Sequence, residues 1–237
     1  VEGPGEALLL PTIAKLLGRN FTDFGTSLVD VRSTGLRRYA GIFQRVDGDT
    51  LLDIKVACVT DRDIMPDCAP HICINDEYTL DPTSWPKKKY RNWRAEADFT
   101  PEEAASHIKD IKQKADGQQV LTFVADHWTL EYDLAFAGLQ YTNMKGALIK
   151  AIVKVSYVEK NWVDKIKSIT ADIDKLPTLE EKSSYFYNFF AGKIASKADF
   201  AQQFAFELEE TFTGKLEELN EALPSYLVEA IKYVTEE

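Results

Sequence analysis

The chain has little of what a membrane-spanning or secreted protein needs. Among its 237 residues no apolar run approaches the ~20 that cross a bilayer, and no signal peptide opens it. Its three cysteines, Cys58, Cys68 and Cys73, form no disulfide framework, which points to a reducing cytoplasm. A starting methionine is also missing, the first being Met65. Val1 reads as the last residue of a strand, so the chain is expected to be a fragment of a longer protein. Internal repeats and low-complexity tracts are absent.

Positive charge is scarce as well. A formal net charge of −10 argues against strong, sequence-independent nucleic-acid binding, which rests on neutralising phosphates. It does not exclude metal-dependent phosphate chemistry, because a carboxylate site adds negative charge and a bound cation returns positive charge where the phosphate sits. The distribution is uneven. Arg32, Arg37 and Arg38 cluster early, residues 87–94 interleave cations with aromatics, and residues 207–237 are acidic.

With 45% hydrophobic residues the chain can build a sizeable core. Up to about residue 140 strand and helix signals alternate: helices at 7–17, 35–46, 100–116 and 130–137, strands at 26–31, 54–59 and 120–125. Asp47-Gly48-Asp49 signals a turn, and Thr100-Pro101-Glu102-Glu103 a capping-box helix start. Such alternation predicts an α/β fold, a parallel sheet covered by helices. Beyond residue 140 the pattern is helical, at 144–155, 162–173, 179–191, 200–219 and 226–234. The expected division is therefore 1–140 and a helical subdomain at 141–237. Residues 66–98, irregular and proline-bearing, read as a long excursion from the sheet.

Acids stand where this fold would place a ligand, beyond the carboxyl ends of the strands. Glu2 and Glu6 flank Gly3-Pro4-Gly5, a tight strand-to-helix turn. The ordinary alternative is that Glu6 complements the helix dipole while Glu2 is solvated. Asp61 and Asp63, two apart after Val56-Ala57-Cys58-Val59, would project to one side of an extended segment and repel unless a cation lies between them. After the third strand, Asp126 and Glu131 compete as ligands, with Thr129 as the helix cap. Asp199 reads as a later cap, leaving Lys197 just outside a helix start. There it either stabilises phosphate charge or is simply a solvated loop lysine. Cys68-Ala69-Pro70-His71-Ile72-Cys73 lacks a fourth partner for structural zinc. The basic-aromatic run 85–94 either grips a nucleic-acid backbone or is a solvated insertion.

The strings Val1-Glu2-Gly3-Pro4-Gly5-Glu6 and Thr60-Asp61-Arg62-Asp63 resemble a Toprim domain, the metal-binding fold of topoisomerases, primases and several nucleases. Together with Thr129-Leu130-Glu131-Tyr132-Asp133-Leu134 and Lys197-Ala198-Asp199-Phe200-Ala201 they resemble the overcoming-lysogenisation-defect (OLD) nucleases. That resemblance implies a DNA endonuclease using two Mg²⁺ or Mn²⁺ ions. Glu2, Glu6, Asp61, Asp63 and Glu131 would be the metal ligands, and Glu2 and Lys197 the catalytic residues. It implies a preceding ABC-type ATPase domain, the route by which ATP would enter, and in some relatives a UvrD-type helicase partner in phage defence. Pro4-Gly5 departs from the polar residue frequent there, and Lys197 lies far along the chain from Glu131. A primase or topoisomerase fits less well, since no zinc ribbon and no nucleophilic tyrosine context occur. The other function class is a non-cleaving Toprim-like module that binds metal or phosphate. The acidic C-terminal helices are expected to be partly solvated and partly in contact with the absent domain or another subunit of a homo-oligomer.

Overall fold

The computed structural model describes all residues except 33–34, 48–49, 75–77 and 237, and the side chain of Arg37 also lies outside the description. The turn expected at Asp47-Gly48-Asp49 therefore lies partly outside the described residues. Helix α1 (Pro4–Leu16) starts earlier than its apolar stripe, because extended Gly3 caps it and Pro4 occupies the first turn, where a missing N–H breaks no bond. Leu9, Leu10, Ile13 and Ala14 are its buried apolar side chains, and Gly5 and Glu6 are buried beside them. The expected strand at 26–31 does not form. Val1 exchanges two bonds with it, its nitrogen donating to Val29 O at 3.0 Å and Val31 N–H to Val1 O at 3.1 Å, and one partner residue is too short for a ladder. The next helix is also shorter than expected, with α2 (Leu36–Ala40) passing into a 3₁₀ turn, Gly41–Phe43.

Strands β1 (Val56–Thr60) and β2 (Val120–Val124) pair in parallel, with Val56 opposite Val120 and Thr60 opposite Val124. Parallel pairing requires a crossover, here made by the excursion and α3 (Pro101–Gln113). Helix α3 opens with the expected Thr100–Glu103 capping box. After β2 come α4 (Leu130–Gly138), α5 (Thr142–Ser156), α6 (Trp162–Lys175) and α7 (Leu179–Ala191). Gly138 lets α5 turn back tightly, since a Cβ there would stand 2.5 Å from Met144 Cγ and 2.9 Å from Leu148 Cδ1. The last three helices are α8 (Lys197–Phe212), α9 (Leu216–Ala222) and α10 (Ser225–Val234). One helix was expected over 200–219. Gly214, at φ +79°, breaks it in two.

One apolar core runs from Val1, Leu9 and Val59 through Leu148, Ile152, Phe204 and Leu208 to Leu227 and Ile231, so it is continuous across residue 140. Helix α10 closes the sheet. Tyr233 rests on Phe123, ring centroids 5.8 Å apart, and its hydroxyl donates to Gln119 O at 3.0 Å. The end of α10 is tied to the start of the chain by Thr26 Oγ1 donating to Val234 O at 3.0 Å and Arg19 Nη1 to Thr235 Oγ1 at 3.0 Å.

The excursion has a core of its own. Met65, Ala69, Trp85, Trp93 and Ala95 pack with Trp128 and Tyr132, and Trp93 makes edge contacts with Tyr78 and Trp85, each at 5.3 Å. Cys68 and Cys73 are free thiols held against Ser184, at 3.2 Å to its hydroxyl and 3.1 Å to its carbonyl, while His71 Nδ1 meets Tyr78 O. Each prospective zinc donor of that segment thus has a protein partner. Among the described residues no helix is long and apolar enough to cross a membrane.

Candidate active site

The two strand ends remain zipped beyond the sheet. Ala125 N–H donates to Thr60 O at 2.9 Å and Arg62 N–H to Trp128 O at 2.9 Å. Asp61 is thereby set against the start of α4, where its Oδ1 accepts the Leu130 N–H at 3.1 Å. A carboxylate suits that position, where unsatisfied N–H groups and the helix dipole meet. Thr129 caps α4 through the Tyr132 N–H, as expected, and places Glu131 in the first turn. The Glu131 carboxylate reaches toward α1. A Cβ on Gly5 would lie 3.7 Å from its Oε1, and one on Gly3 would lie 3.1 Å from Glu6 Oε2. The glycines of this turn therefore leave room for both carboxyl groups.

Lys197 comes in from the far end of the chain. Ser196, not Asp199, caps α8, its side chain accepting the Asp199 N–H, so Lys197 is the first helical residue rather than a loop residue outside the helix. Its Nζ lies 2.7 Å from Glu131 Oε2 and 5.5 Å from the centre of the Tyr187 ring. The pair is lopsided: Glu131 exposes 4% of its side chain and Lys197 45%. Glu131 Oε2 makes no hydrogen bond of good geometry, so the contact is an ion pair.

The electrostatics tie Asp61, Glu6, Glu131 and Lys197 into one group. Burial pushes Asp61 well above the usual carboxylate range. Lys197 opposes this, while Glu131, Glu6 and Asp63 add to it. Burial likewise raises Glu6, with Glu131 adding and Lys197 opposing. For Lys197, burial disfavours the charge, but Glu131, Tyr187 and Asp61 outweigh it and hold the ammonium above its ordinary range. Tyr226, at the start of α10, is raised by burial and by Asp133, Asp61, Glu6 and Glu131 together, so its buried phenol is within electrostatic reach of the cluster.

The other expected residues are placed differently. Glu2 is half-buried and within electrostatic reach of the Cys58 thiol and the Val1 nitrogen. Asp63 is exposed in the left-handed region, φ +60°, which breaks the strand-like alternation that would have aligned it with Asp61; its charge still reaches Asp61. Asp126 accepts the Ser225 hydroxyl at 3.1 Å and so anchors α10. Among the described residues no three acidic, imidazole or thiol side chains close around a common point as a finished metal cage. The donor set nevertheless suits a hard divalent cation. It is all carboxylate oxygen and largely withdrawn from solvent, and Glu131 raises both Asp61 and Glu6.

Tyr187 and Tyr226 were not foreseen. Tyr187 sits in a run of aromatics on α7 and Tyr226 follows Pro224-Ser225, contexts that read as core packing alone. Nor was the pair of His127 and Asp133. Buried Asp133 accepts the His127 Nδ1 at 3.1 Å and its N–H at 3.2 Å.

Residues 1–63 match the family described as "Overcoming lysogenization defect protein-like, TOPRIM domain", a span that holds Glu2, Glu6, Asp61 and Asp63. That segment is similar to the OLD-like Toprim domain, and the chain shares the fold of the C-terminal region of an OLD protein. Two solved structures are similar. The C-terminal region of the Xanthomonas campestris pv. campestris OLD protein aligns over 99% of this chain and 89% of its own, with TM-score 0.50 and 18% identity. That of the Burkholderia pseudomallei OLD protein aligns over 98% and 93%, with TM-score 0.49 and 19% identity. No curated protein matches the chain.

Proposed function

We propose that this region is the catalytic part of a metal-dependent DNA endonuclease. The observation that carries the reading is the grouping of Asp61, Glu6, Glu131 and Lys197, from just beyond β1 and from α1, α4 and α8, within electrostatic reach of one another at the strand ends. Glu6, Asp61 and Glu131 would hold the inner ligand positions, with Glu2 and Asp63 completing the set from either flank. When bound, divalent ions, Mg²⁺ or Mn²⁺ and two in number, supply phosphate polarisation and an attacking water of lowered pKa. Asp61 is pinned by the Leu130 N–H and Glu131 by its place in the first turn of α4, so their oxygens need little reorganisation. Lys197 keeps its charge and, half-exposed, offers the ammonium to a phosphoryl oxygen on which negative charge grows. Glu2 is assigned as a ligand that also orients the water.

In this reading 1–140 is the catalytic domain and 141–237 a helical subdomain that contributes Lys197. The longer protein would carry an ABC-type ATPase domain before it, act on DNA in phage defence or repair, and in some settings work beside a UvrD-type helicase or as a homo-oligomer. A second reading, a non-cleaving module that binds metal or phosphate, is favoured by the Lys197–Glu131 pair, which already neutralises one carboxylate.

Conversion of supercoiled plasmid to nicked and linear forms with Mg²⁺, Mn²⁺, Ca²⁺ or EDTA separates the two. The nuclease reading expects metal-dependent cutting, lost in Glu2→Ala and Glu131→Gln and slowed about 10²–10³-fold in Lys197→Ala. Cutting that survives both carboxylate substitutions, with folding unchanged, overturns it.

A further inference from the structure

The excursion sorts its charged residues into two sets. Its inward set is closed. Arg91 forks onto Asp98 and lies over the rings of Trp93 (4.2 Å) and Trp85 (5.5 Å), while Lys88 donates to Asp98 O at 3.2 Å and covers Phe99. Trp85 and Trp93 are core residues and therefore no stacking platform. The described acids of the segment are also engaged: Asp81 with Thr83, Asp67 with the Ala97 N–H, and Glu96 facing Arg62 at 3.9 Å.

The outward set is open. Lys87, Lys89 and Arg94 are exposed and, among the described residues, make no ion pair. Between them stands Tyr90, 72% exposed, with Lys89 Nζ 4.8 Å from its ring centre. In a chain of net charge −10, three such cations flanking an exposed aromatic in sequence, on a segment with its own core, are a local inversion of sign. The strip is also fixed relative to the crevice. Met65, four residues after Asp61, pairs in parallel with Ala95, and its N–H donates to Arg94 O at 3.0 Å. Arg94 is thus the end of the strip nearer the carboxylates, and Lys87 lies further along the chain from them.

We infer that Lys87, Lys89, Tyr90 and Arg94 form a track for single-stranded nucleic acid leading to the crevice. The cations neutralise successive phosphates, and Tyr90 stacks on an unpaired base, a combination that suits any base because each has a π-face. This deepens the DNA reading above and rests on it. It implies that the crevice receives a strand whose bases are already open beside the cut.

The test is fluorescence anisotropy of a labelled oligothymidine with the 237-residue chain in EDTA, across a salt titration. Charge reversal at Lys87, Lys89 and Arg94 is expected to weaken binding more than tenfold and to flatten the salt slope by about 2, each single-strand phosphate contact adding ~0.7. Tyr90→Ala is expected to weaken oligothymidine binding roughly five- to a hundredfold while leaving a blunt duplex nearly unaffected. Reversal of Lys150, Lys160 and Lys167, exposed on the helical side, serves as control. No binding by the parent chain, an equal loss in the control, or equal effects of Tyr90→Ala on both DNAs overturns the track. Cutting that ignores the strip refutes the track alone. Strip-dependent binding without metal-dependent cutting refutes the nuclease alone.

Discussion

Arg91–Asp98 in the excursion and Lys197–Glu131 at the crevice both take charge out of bulk water, and they do so on different terms. Arg91 and Asp98 expose 5% and 9% of their side chains, and they are held by two guanidinium bonds, the Pro86 carbonyl, the Ala95 N–H and two indole faces. Burial alone would raise the Asp98 carboxyl, but Arg91 and the Ala95 N–H outweigh it and hold it below the ordinary range. At the crevice the balance is reversed. Burial and neighbouring carboxylates raise Asp61 and Glu6, and the Lys197 ammonium paired with Glu131 is half outside. The first pair serves the fold. The second group is held in an unfavourable state by its surroundings, which is how groups meant for a ligand or a reaction are commonly found.

The sharpest way to break this contrast is Arg91→Ala. It leaves Asp98 buried and uncompensated, so urea unfolding should show a loss of about 3–5 kcal/mol. Plasmid cutting per folded molecule should stay unchanged; a loss confined to activity would mean the pair belongs to the site.

A smaller effect separates the two regions by pH. Asp61 has its pKa raised in the folded state, so between the ordinary carboxylate value and the raised one the folded chain holds more protons than the unfolded chain. Stability therefore falls as pH rises through that window, by about 1.4 kcal/mol per pH unit for one proton. Asp98 runs the other way: its contribution is present above its unfolded value and is lost as pH falls through the depressed folded one. Melting curves of Asp61→Asn should be flatter on the alkaline side of pH 4. An unchanged slope would assign the raise to another group.

The smallest effect concerns Tyr187. Its ring lies 5.5 Å from Lys197 Nζ, and such contacts contribute about 0.5–1 kcal/mol. Tyr187→Leu should slow cutting about two- to fivefold, with Tyr187→Phe near the parent rate. Equal rates for all three would leave Tyr187 a packing residue.

How much of this was legible in the sequence depended on whether the information was local. The capping signals at Thr100 and Thr129 act within one helical turn, and each cap is where the sequence indicates. Parallel pairing of β1 and β2 followed from two buried runs separated by a long crossover. The strand expected at 26–31 failed because a strand needs a partner of equal length, and composition does not say who that partner is. Asp199 and Ser196 are both good caps, and three-residue spacing lets the serine take the role while the aspartate enters the first turn. Glu6, Asp61, Glu131 and Lys197 could be named from their strings, yet the repulsion among the three acids, Asp63's departure from the strand pattern and the phenols of Tyr187 and Tyr226 depend on contacts between distant segments.

The position of Lys197 and α10 late in the chain has a consequence for how the molecule comes into being. Synthesis runs from the amino end, so the ribosome releases Glu6, Asp61 and Glu131 well before it releases Lys197, and Tyr226 and the Asp126 anchor Ser225 later still. A nascent chain thus carries all the acids while lacking both the ammonium that balances them and the helix that ties the sheet to residues 19–26. The crevice is assembled only when translation has passed the helical half, and an interrupted chain is left with its carboxylates unopposed.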